Sequence, residues 1–350
     1  MSHQGKGKKS FSKKDYSGCR KGPVSDKMSE KTRVLITGAT GFAGGHLIRA
    51  LEAEGPSAFE IFGTAYPDVP PPSRNKFFFL DLRSEKDAIK LVSEIRPDWI
   101  FHLAAISNVR RSWEKRSETI ETNVLGTHNL LEAVRLSAPA AKVLFISSSD
   151  VYGFGPAPAE AINEDAPIQI VDPYAYSKVA GEMLCGFYEK IENIDIVIAR
   201  PFPHTGPGQA EDFVCSDWAR QVAQIERGDI APTLKVGNLD VQRDFCDVRD
   251  VVKAYILLLR KGRWGEPYNV CSGKATALRE VLDFLVRETR GKTPILVEVD
   301  AAKFRKADVN SLIGSNRKIS EGIGWLPRIP IDQTLRDTLA FWRQKSGDGS

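Results

Sequence analysis

The chain has 350 residues, 42% hydrophobic and 27% charged, the balance of a water-soluble globular protein with one large domain or two modest ones. No apolar run approaches the ~20 residues of a membrane-spanning helix, and the basic N-terminus lacks the apolar stretch of a secretory signal. The net charge of +4 arises in residues 1–31, where nine Lys and Arg face three Asp and Glu, which leaves the rest of the chain at −2.

That first segment is rich in Gly, Ser and Lys and too poor in apolar residues to fold, so it reads as a disordered solvated tail rather than a nucleic-acid arm. Met28 offers an alternative start. Five scattered cysteines (Cys19, Cys185, Cys215, Cys246, Cys271) form no CxxC pair, and the five histidines do not cluster. This pattern suits a reducing cytoplasm and predicts no metal site.

Ordered structure begins with Val34-Leu35-Ile36, an apolar run that reads as a buried parallel strand. Thr37-Gly38-Ala39-Thr40-Gly41-Phe42-Ala43-Gly44 then turns into a helix pattern of His46, Leu47, Ile48 and Leu51. Glycines at 38, 41 and 44 permit a tight turn, close approach of backbone to a pyrophosphate, and packing of helix on strand, with the phosphates at the helix N-terminus. Further strands are predicted at 60–66, 77–80, 99–103, 142–146 and 194–199. They alternate with helices over 84–96, 117–137 and 174–191. Apolar strands alternating with helices indicate a Rossmann-type, doubly wound parallel α/β sheet. Beyond Pro201 the pattern loosens, with further helices at 212–227 and 277–289. The expected organisation is a tail (1–31), a dinucleotide-binding domain (32–202, taking back about 245–272), a smaller C-terminal α/β substrate domain (203–244 and 273–345) and a short tail (346–350).

Two spacings suggest chemistry. Tyr174 and Lys178 lie one helical turn apart, and an ammonium there favours the phenolate of a group whose ordinary pKa is about 10. Lysine at that place also suits nicotinamide ribose hydroxyls. Ser147-Ser148-Ser149-Asp150 directly follows a strand, where a hydroxyl can face the cleft and stabilise a developing alkoxide.

The glycine turn, His102-Leu103-Ala104-Ala105, Ser148, and Tyr174 to Lys178 resemble the extended short-chain dehydrogenase/reductases, the NAD-dependent epimerase/dehydratase group. Arg200-Pro201-Phe202-Pro203-His204-Thr205-Gly206-Pro207-Gly208-Gln209, Val236 to Asp250, Tyr268 to Gly273, Leu312 to Asn316 and Gly324-Trp325-Leu326-Pro327 resemble its branch acting on GDP-mannose-derived sugars.

The resemblance implies a catalytic set of Ser148, Tyr174 and Lys178. It implies a cofactor lining of Thr37, Gly38, Gly41, Phe42, Ala43, Asp81, Leu82, Leu103, Ala104 and Ala105, together with Tyr174 and Lys178. Ser149, Asp150, His204, Val236, Arg243 and Arg305 would meet a GDP-sugar, the arginines because guanidinium forks match diphosphate oxygens. Arg200 reads as structural.

The chain departs from the family pattern at three places. Pro203 replaces an asparagine, Lys306 and Asn310 replace prolines, and Asp150 stands where the dehydratases have a catalytic glutamate. The implied activity is NAD(P)H-dependent reduction of the C4 ketone of a GDP-4-keto-6-deoxyhexose. The alternatives are a nucleotide-sugar 4,6-dehydratase, a 4-epimerase, and a non-catalytic dinucleotide-binding sensor. No carboxylate stands at 63–66 to bond a ribose 2′-hydroxyl, Asp68 lies beyond Pro67, and Arg74 is the nearest cation in that loop. NADP(H) is therefore preferred and NAD(H) permitted. Apolar excess on the helices at 117–137 and 174–191, and the family's habit of pairing these helices, imply a homodimer.

Overall fold

In the computed structural model of the chain, residues 31–66, 76–153, 161–291, 294–300 and 311–345 are described, and they fall within one compact unit. The first strands are β1 (Thr32–Thr37), β2 (Phe59–Ala65), β3 (Lys76–Phe79), β4 (Trp99–His102), β5 (Lys142–Ile146) and β6 (Ile196–Pro201). Four short strands follow: β7 (His204–Thr205), β8 (Thr233–Val236), β9 (Gln242–Arg243) and β10 (Cys246–Asp247). The chain then returns to the main sheet as β11 (Pro267–Val270) before β12 (Thr276–Ala277), β13 (Leu296–Val299) and β14 (Ser311–Leu312). The main sheet is parallel in the order β11-β6-β5-β4-β1-β2-β3.

Helices α1 (Phe42–Glu52), α2 (Glu85–Ile95), α3 (Val109–Glu114), α4 (Arg116–Ile120), α5 (Gly126–Ser137) and α6 (Pro173–Lys190) cross between these strands. The later helices are α7 (Val214–Arg227), α8 (Val248–Lys261), α9 (Leu278–Arg287), α10 (Arg317–Ile323) and α11 (Ile331–Lys345).

Strand β1 shows why the sheet is sandwiched. Its side chains alternate between faces, yet Val34, Leu35 and Ile36 are all fully buried. Val34 and Ile36 pack with Leu47, Leu51, Val251 and Tyr255 of α1 and α8, and Leu35 packs with Leu91, Leu130 and Val134 of α2 and α5. Both faces are thus covered by helices. A third core, including Trp218, Leu285 and Trp342, joins α7, α9 and α11 under β8.

Two differences from the sequence expectations matter. The long helix predicted over 117–137 is interrupted by one π-helical turn, Glu121–Leu125, between α4 and α5. Helices α8, α10 and α11 lie beyond those expectations. The Val251, Val252, Tyr255, Leu258 and Leu259 of α8 are as periodic as in any helix here, but they follow the motif ending at Asp250 directly and read as its continuation. The tail over 1–30 lies outside the described residues.

Candidate active site

The glycine turn is shaped by close backbone contacts. Gly38 has φ +69°, and a Cβ on it would lie 2.8 Å from Ala104 N; a Cβ on Gly44 would lie 2.5 Å from the Gly38 carbonyl. Helix α1 begins after Gly41 with no side-chain cap, so its first-turn N–H groups are available to an outside acceptor. These features fit a dinucleotide pyrophosphate. Phe42, Ala43, Leu103, Ala104 and Ala105 remain partly exposed around the turn.

Thr37 has a different place. It is fully buried, its hydroxyl bonds His102 Nδ1 at 2.7 Å, and it accepts the Ala104 N–H at 3.2 Å. His102 Nε2 in turn meets the Thr127 hydroxyl at 3.0 Å, and burial, followed by the nearby Lys178 charge, pushes the imidazole pKa down to about 3. Thr37 is therefore an internal strut between the ends of β1 and β4. Leu82 also departs from its expected role: its side chain is in the core and its carbonyl accepts from Asn129.

Among the described residues at the end of β2, Tyr66 follows Ala65, and Leu80, next to Asp81, donates its N–H to the Ala65 carbonyl. Arg83 reaches this strand end, donating to the Tyr66 hydroxyl at 3.3 Å while forking onto Asp81 at 2.6–3.0 Å. Asp68 and Arg74 lie outside the described residues.

The Tyr–Lys helix has a specific start. Asp172 caps α6 by accepting the Ala175 N–H at 2.7 Å, and Pro173 occupies the first turn, where a missing N–H costs nothing. Tyr174 and Lys178 thereby face the end of β5. Ser148 caps a short turn, Ser149–Tyr152, by accepting the Asp150 N–H at 3.1 Å, and its hydroxyl lies near enough to the Tyr174 phenol to favour the phenolate. Lys178 donates to the Ile146 carbonyl at 2.7 Å, with its Nζ 5.7 Å from the centre of the Tyr174 ring. All three side chains are at least nine-tenths buried.

The electrostatics correct one expectation. Burial pushes the Tyr174 phenol pKa up, and the Asp150 charge adds to that shift, outweighing the opposing hydrogen bond from Ser148. Burial pushes the Lys178 pKa down to about 8. The ammonium sits over the ring and is held by a backbone carbonyl, so it does not produce the phenolate predicted from spacing. Tyr174 is protonated across the neutral range.

Two supports lie beyond the sequence reading. Asn123 lies in the π-helical turn, donates to the Ser177 hydroxyl at 2.9 Å and to the Ile106 carbonyl at 3.1 Å, and accepts the Ile106 N–H at 2.8 Å. Ser177 donates to the Tyr174 carbonyl at 2.7 Å. The second support is a buried fork in which Arg200 donates from Nε and Nη2 to Glu182 at 2.9 and 2.7 Å. Ser147 donates to the same carboxylate at 2.5 Å, and Arg200 Nη1 donates to Tyr152 at 2.9 Å. Glu182 lies four residues beyond Lys178 on α6, a spacing that would have signalled it.

The expected substrate residues are placed unevenly. Asp150 is close enough to raise the Tyr174 pKa, and Ser149 is buried beside it. His204 donates from Nδ1 to the Phe202 carbonyl at 3.0 Å, which leaves Nε2 as an acceptor, and burial lowers its pKa. Arg243 is partly exposed on β9, donates to the Gln242 carbonyl at 2.8 Å, and pairs in register with Thr276 and Leu312. Val236 is fully buried in the core under β8, and its carbonyl accepts from Asp300, so its side chain is not offered to a ligand. Arg305 lies outside the described residues. Asp244, next to Arg243, is buried and accepts N–H groups of Ser272, Gly273 and Gly314, which fixes β9 against two loops.

Comparison with known proteins follows the same lines. The profile of the family described as GDP-mannose 4,6 dehydratase matches residues 35–338. GDP-6-deoxy-D-mannose reductase of Pseudomonas aeruginosa is 36% identical over 313 residues, spanning 89% of this chain and 98% of the relative. Its solved structure, named RMD and complexed with NADPH, superimposes with a TM-score of 0.79 over 90% of this chain and 100% of the other. UDP-glucose 4-epimerase of Thermus thermophilus, in complex with NAD, is 30% identical with a TM-score of 0.79, covering 89% and 99%. The chain belongs to the GDP-mannose 4,6 dehydratase family of extended short-chain dehydrogenase/reductases.

Proposed function

We propose that the chain reduces the C4 ketone of GDP-4-dehydro-6-deoxy-D-mannose to a GDP-6-deoxyhexose such as GDP-D-rhamnose, with NADPH preferred and NADH accepted. The observation that carries this reading is the 36% identity to GDP-6-deoxy-D-mannose reductase over 89% of the chain, with Ser148, Tyr174 and Lys178 gathered at the end of β5.

A reduced nicotinamide held beside Tyr174 and Lys178 would supply hydride to the carbonyl carbon. Tyr174 donates its proton to the forming alkoxide. Ser148 holds the same oxygen, and the Lys178 ammonium stabilises the phenolate left behind. The turn from Gly38 to Gly44 takes the pyrophosphate. Asp81 and Arg83 mark the adenosine end, where a 2′-phosphate would compete with Asp81 for the Arg83 guanidinium. Residues 203–244 and 273–345 form the sugar-nucleotide side, where Arg243, His204 and Asp150 meet the substrate and Arg305 adds a second cation.

The direct test supplies NADPH and the 4-keto substrate and follows absorbance and product NMR. Stoichiometric NADPH consumption with a new C4 hydroxyl is expected. Product formation with no net consumption would instead identify a dehydratase or epimerase, and the absence of any product would leave a dinucleotide sensor.

A pH profile tests the assignment of charge. For the free enzyme, kcat/KM is expected to fall as pH rises through about 8, because Lys178 loses its proton there while Tyr174 keeps its own. Lys178→Arg should remove that basic limb. If the limb persists in this variant, another group titrates.

The assembly follows from surface chemistry. Met183, Phe187 and Ile191 recur every fourth residue along α6 and its C-cap and are 50–72% exposed, with Leu125 and Leu136 exposed nearby in sequence along the π turn and α5. We assign this stripe to a two-fold homodimer in the cytoplasm, where the four free cysteines buried among the described residues stay reduced. Light scattering at micromolar concentration should give twice the chain mass, and Met183→Glu/Phe187→Glu should give a monomer. A wild-type monomer would refute the assignment.

A further inference from the structure

We infer that His46 is a positioning residue: it ties the loop carrying His204 to the nucleotide-binding helix and so sets the register between sugar nucleotide and dinucleotide. The inference rests on the two-ligand reading above.

His46 Nε2 lies 2.8 Å from the Pro207 carbonyl, joining α1 to a loop 161 residues away in sequence. A carbonyl can only accept, so Nε2 carries the proton. Phe42, the first residue of α1, sits between the two imidazoles. Its ring meets His46 edge-on at 5.3 Å and 82° and lies parallel to His204 at 6.1 Å and 8°. Gly206 completes the seat: a Cβ on it would lie 2.9 Å from Val248 Cγ1 and 3.9 Å from Phe42 Cζ. A larger residue would press on Val248 and is disfavoured by the φ of +156°.

The other bonds of this loop do not join it to α1. Thr205 donates to Gln209 at 2.6 Å, and Gln209 donates to the His204 carbonyl at 2.9 Å, which stiffens the loop as a unit. The Cys246 N–H donates to Pro203, and β7 pairs with β10, which joins the loop to the strand leading back to Arg243. Among the described residues, His46 supplies the side-chain hydrogen bond from α1 to the loop tip. Phe42 belongs to the cofactor turn and His204 to the substrate side, so the position of the tip decides how the two ligands meet.

The experiment compares His46→Leu, His46→Asn and His46→Gln in the full chain. The glutamine amide can place an N–H near Nε2, whereas the asparagine amide falls one methylene short. Hydrogen exchange of the Gln209 and Cys246 amides, which bond the Gly206 and Pro203 carbonyls, reads the tie directly. Exchange should be faster in the Leu and Asn variants and near wild type in Gln.

In the same variants kcat/KM for the 4-keto sugar nucleotide should drop about tenfold or more for Leu and Asn and only about threefold for Gln, because small misplacements of reacting groups have large rate effects. The Kd for NADPH should stay within about twofold, since the phosphate-binding N–H groups are untouched. Unchanged exchange in Leu and Asn would overturn the tie. Unchanged kcat/KM, equal losses in Gln and Asn, or a parallel loss of NADPH affinity would overturn the positioning role. If Leu fails to fold, the Asn and Gln pair decides alone. A wild-type chain that binds NADPH but does not turn over would count against the proposed reaction, and the exchange data would still decide the tie.

Discussion

Replacing Tyr174 with Phe is expected to lower kcat by about 10²-fold or more, the scale of a lost general acid, while leaving the fold intact. The ring is nearly buried, and its hydroxyl lies close to Ser148, itself held by the Asp150 N–H. Removing one oxygen leaves the packing of α6 on the sheet unchanged. It removes the proton positioned for the alkoxide by both a partner hydroxyl and an adjacent ammonium. NADPH should therefore bind as before, and a single-turnover experiment should show the chemical step slowed. Ser148→Ala should have a smaller effect, because the phenol stays in place and loses one oriented bond. Turnover of Tyr174→Phe within about threefold of wild type would show that the proton comes from elsewhere, and would remove the mechanism.

The glycine turn and the Tyr–Lys spacing are legible in the sequence because their chemistry is local. A strand, a turn of fixed glycine positions and a helix follow one another without interruption from Thr32 to Glu52, and one helical turn sets Tyr174 against Lys178. Contacts between segments far apart in the chain leave no such local mark. Thr37 reads as a ligand residue by position, but its hydroxyl is used by His102, 65 residues away. Val236 lies in a motif-like stretch, but strand pairing of β8 with β13 turns its side chain into the core.

The protonation state of Tyr174 escapes the sequence for the same reason. Spacing gives the distance to Lys178 but not the burial of both groups, and here burial outweighs the neighbouring charge. The π-helical turn that delivers Asn123 leaves no mark in hydrophobic periodicity, since it shifts the helix by one residue between two ordinary turns.

Breaking the buried Arg200–Glu182 fork is expected to have the largest effect on stability. Both side chains are less than a tenth exposed, and the pair links three elements: α6 through Glu182, the end of β5 through Ser147, and the end of β6 through Arg200 itself. Arg200→Met leaves the Glu182 carboxylate buried with one hydroxyl, and removing one partner of a buried pair costs about 3–5 kcal/mol. Glu182→Leu strands the guanidinium, with Tyr152 and the Glu164 carbonyl as its remaining partners.

The double variant should be less destabilised than the sum of the two single variants by about 2 kcal/mol or more, because no charge is left buried and unpaired. Urea unfolding of the four proteins measures this directly. A cost below about 1 kcal/mol for Arg200→Met would mean that water reaches the pair. Additive losses would mean that the two side chains are not coupled. Turnover should not follow stability in the double variant. Ser147 adjoins Ser148, and Glu182 is one turn from Lys178, so a hydrophobic replacement fills the space without fixing either group. Recovered stability with kcat still depressed would show that the fork orients the catalytic set, and recovered kcat would show that it serves the fold alone.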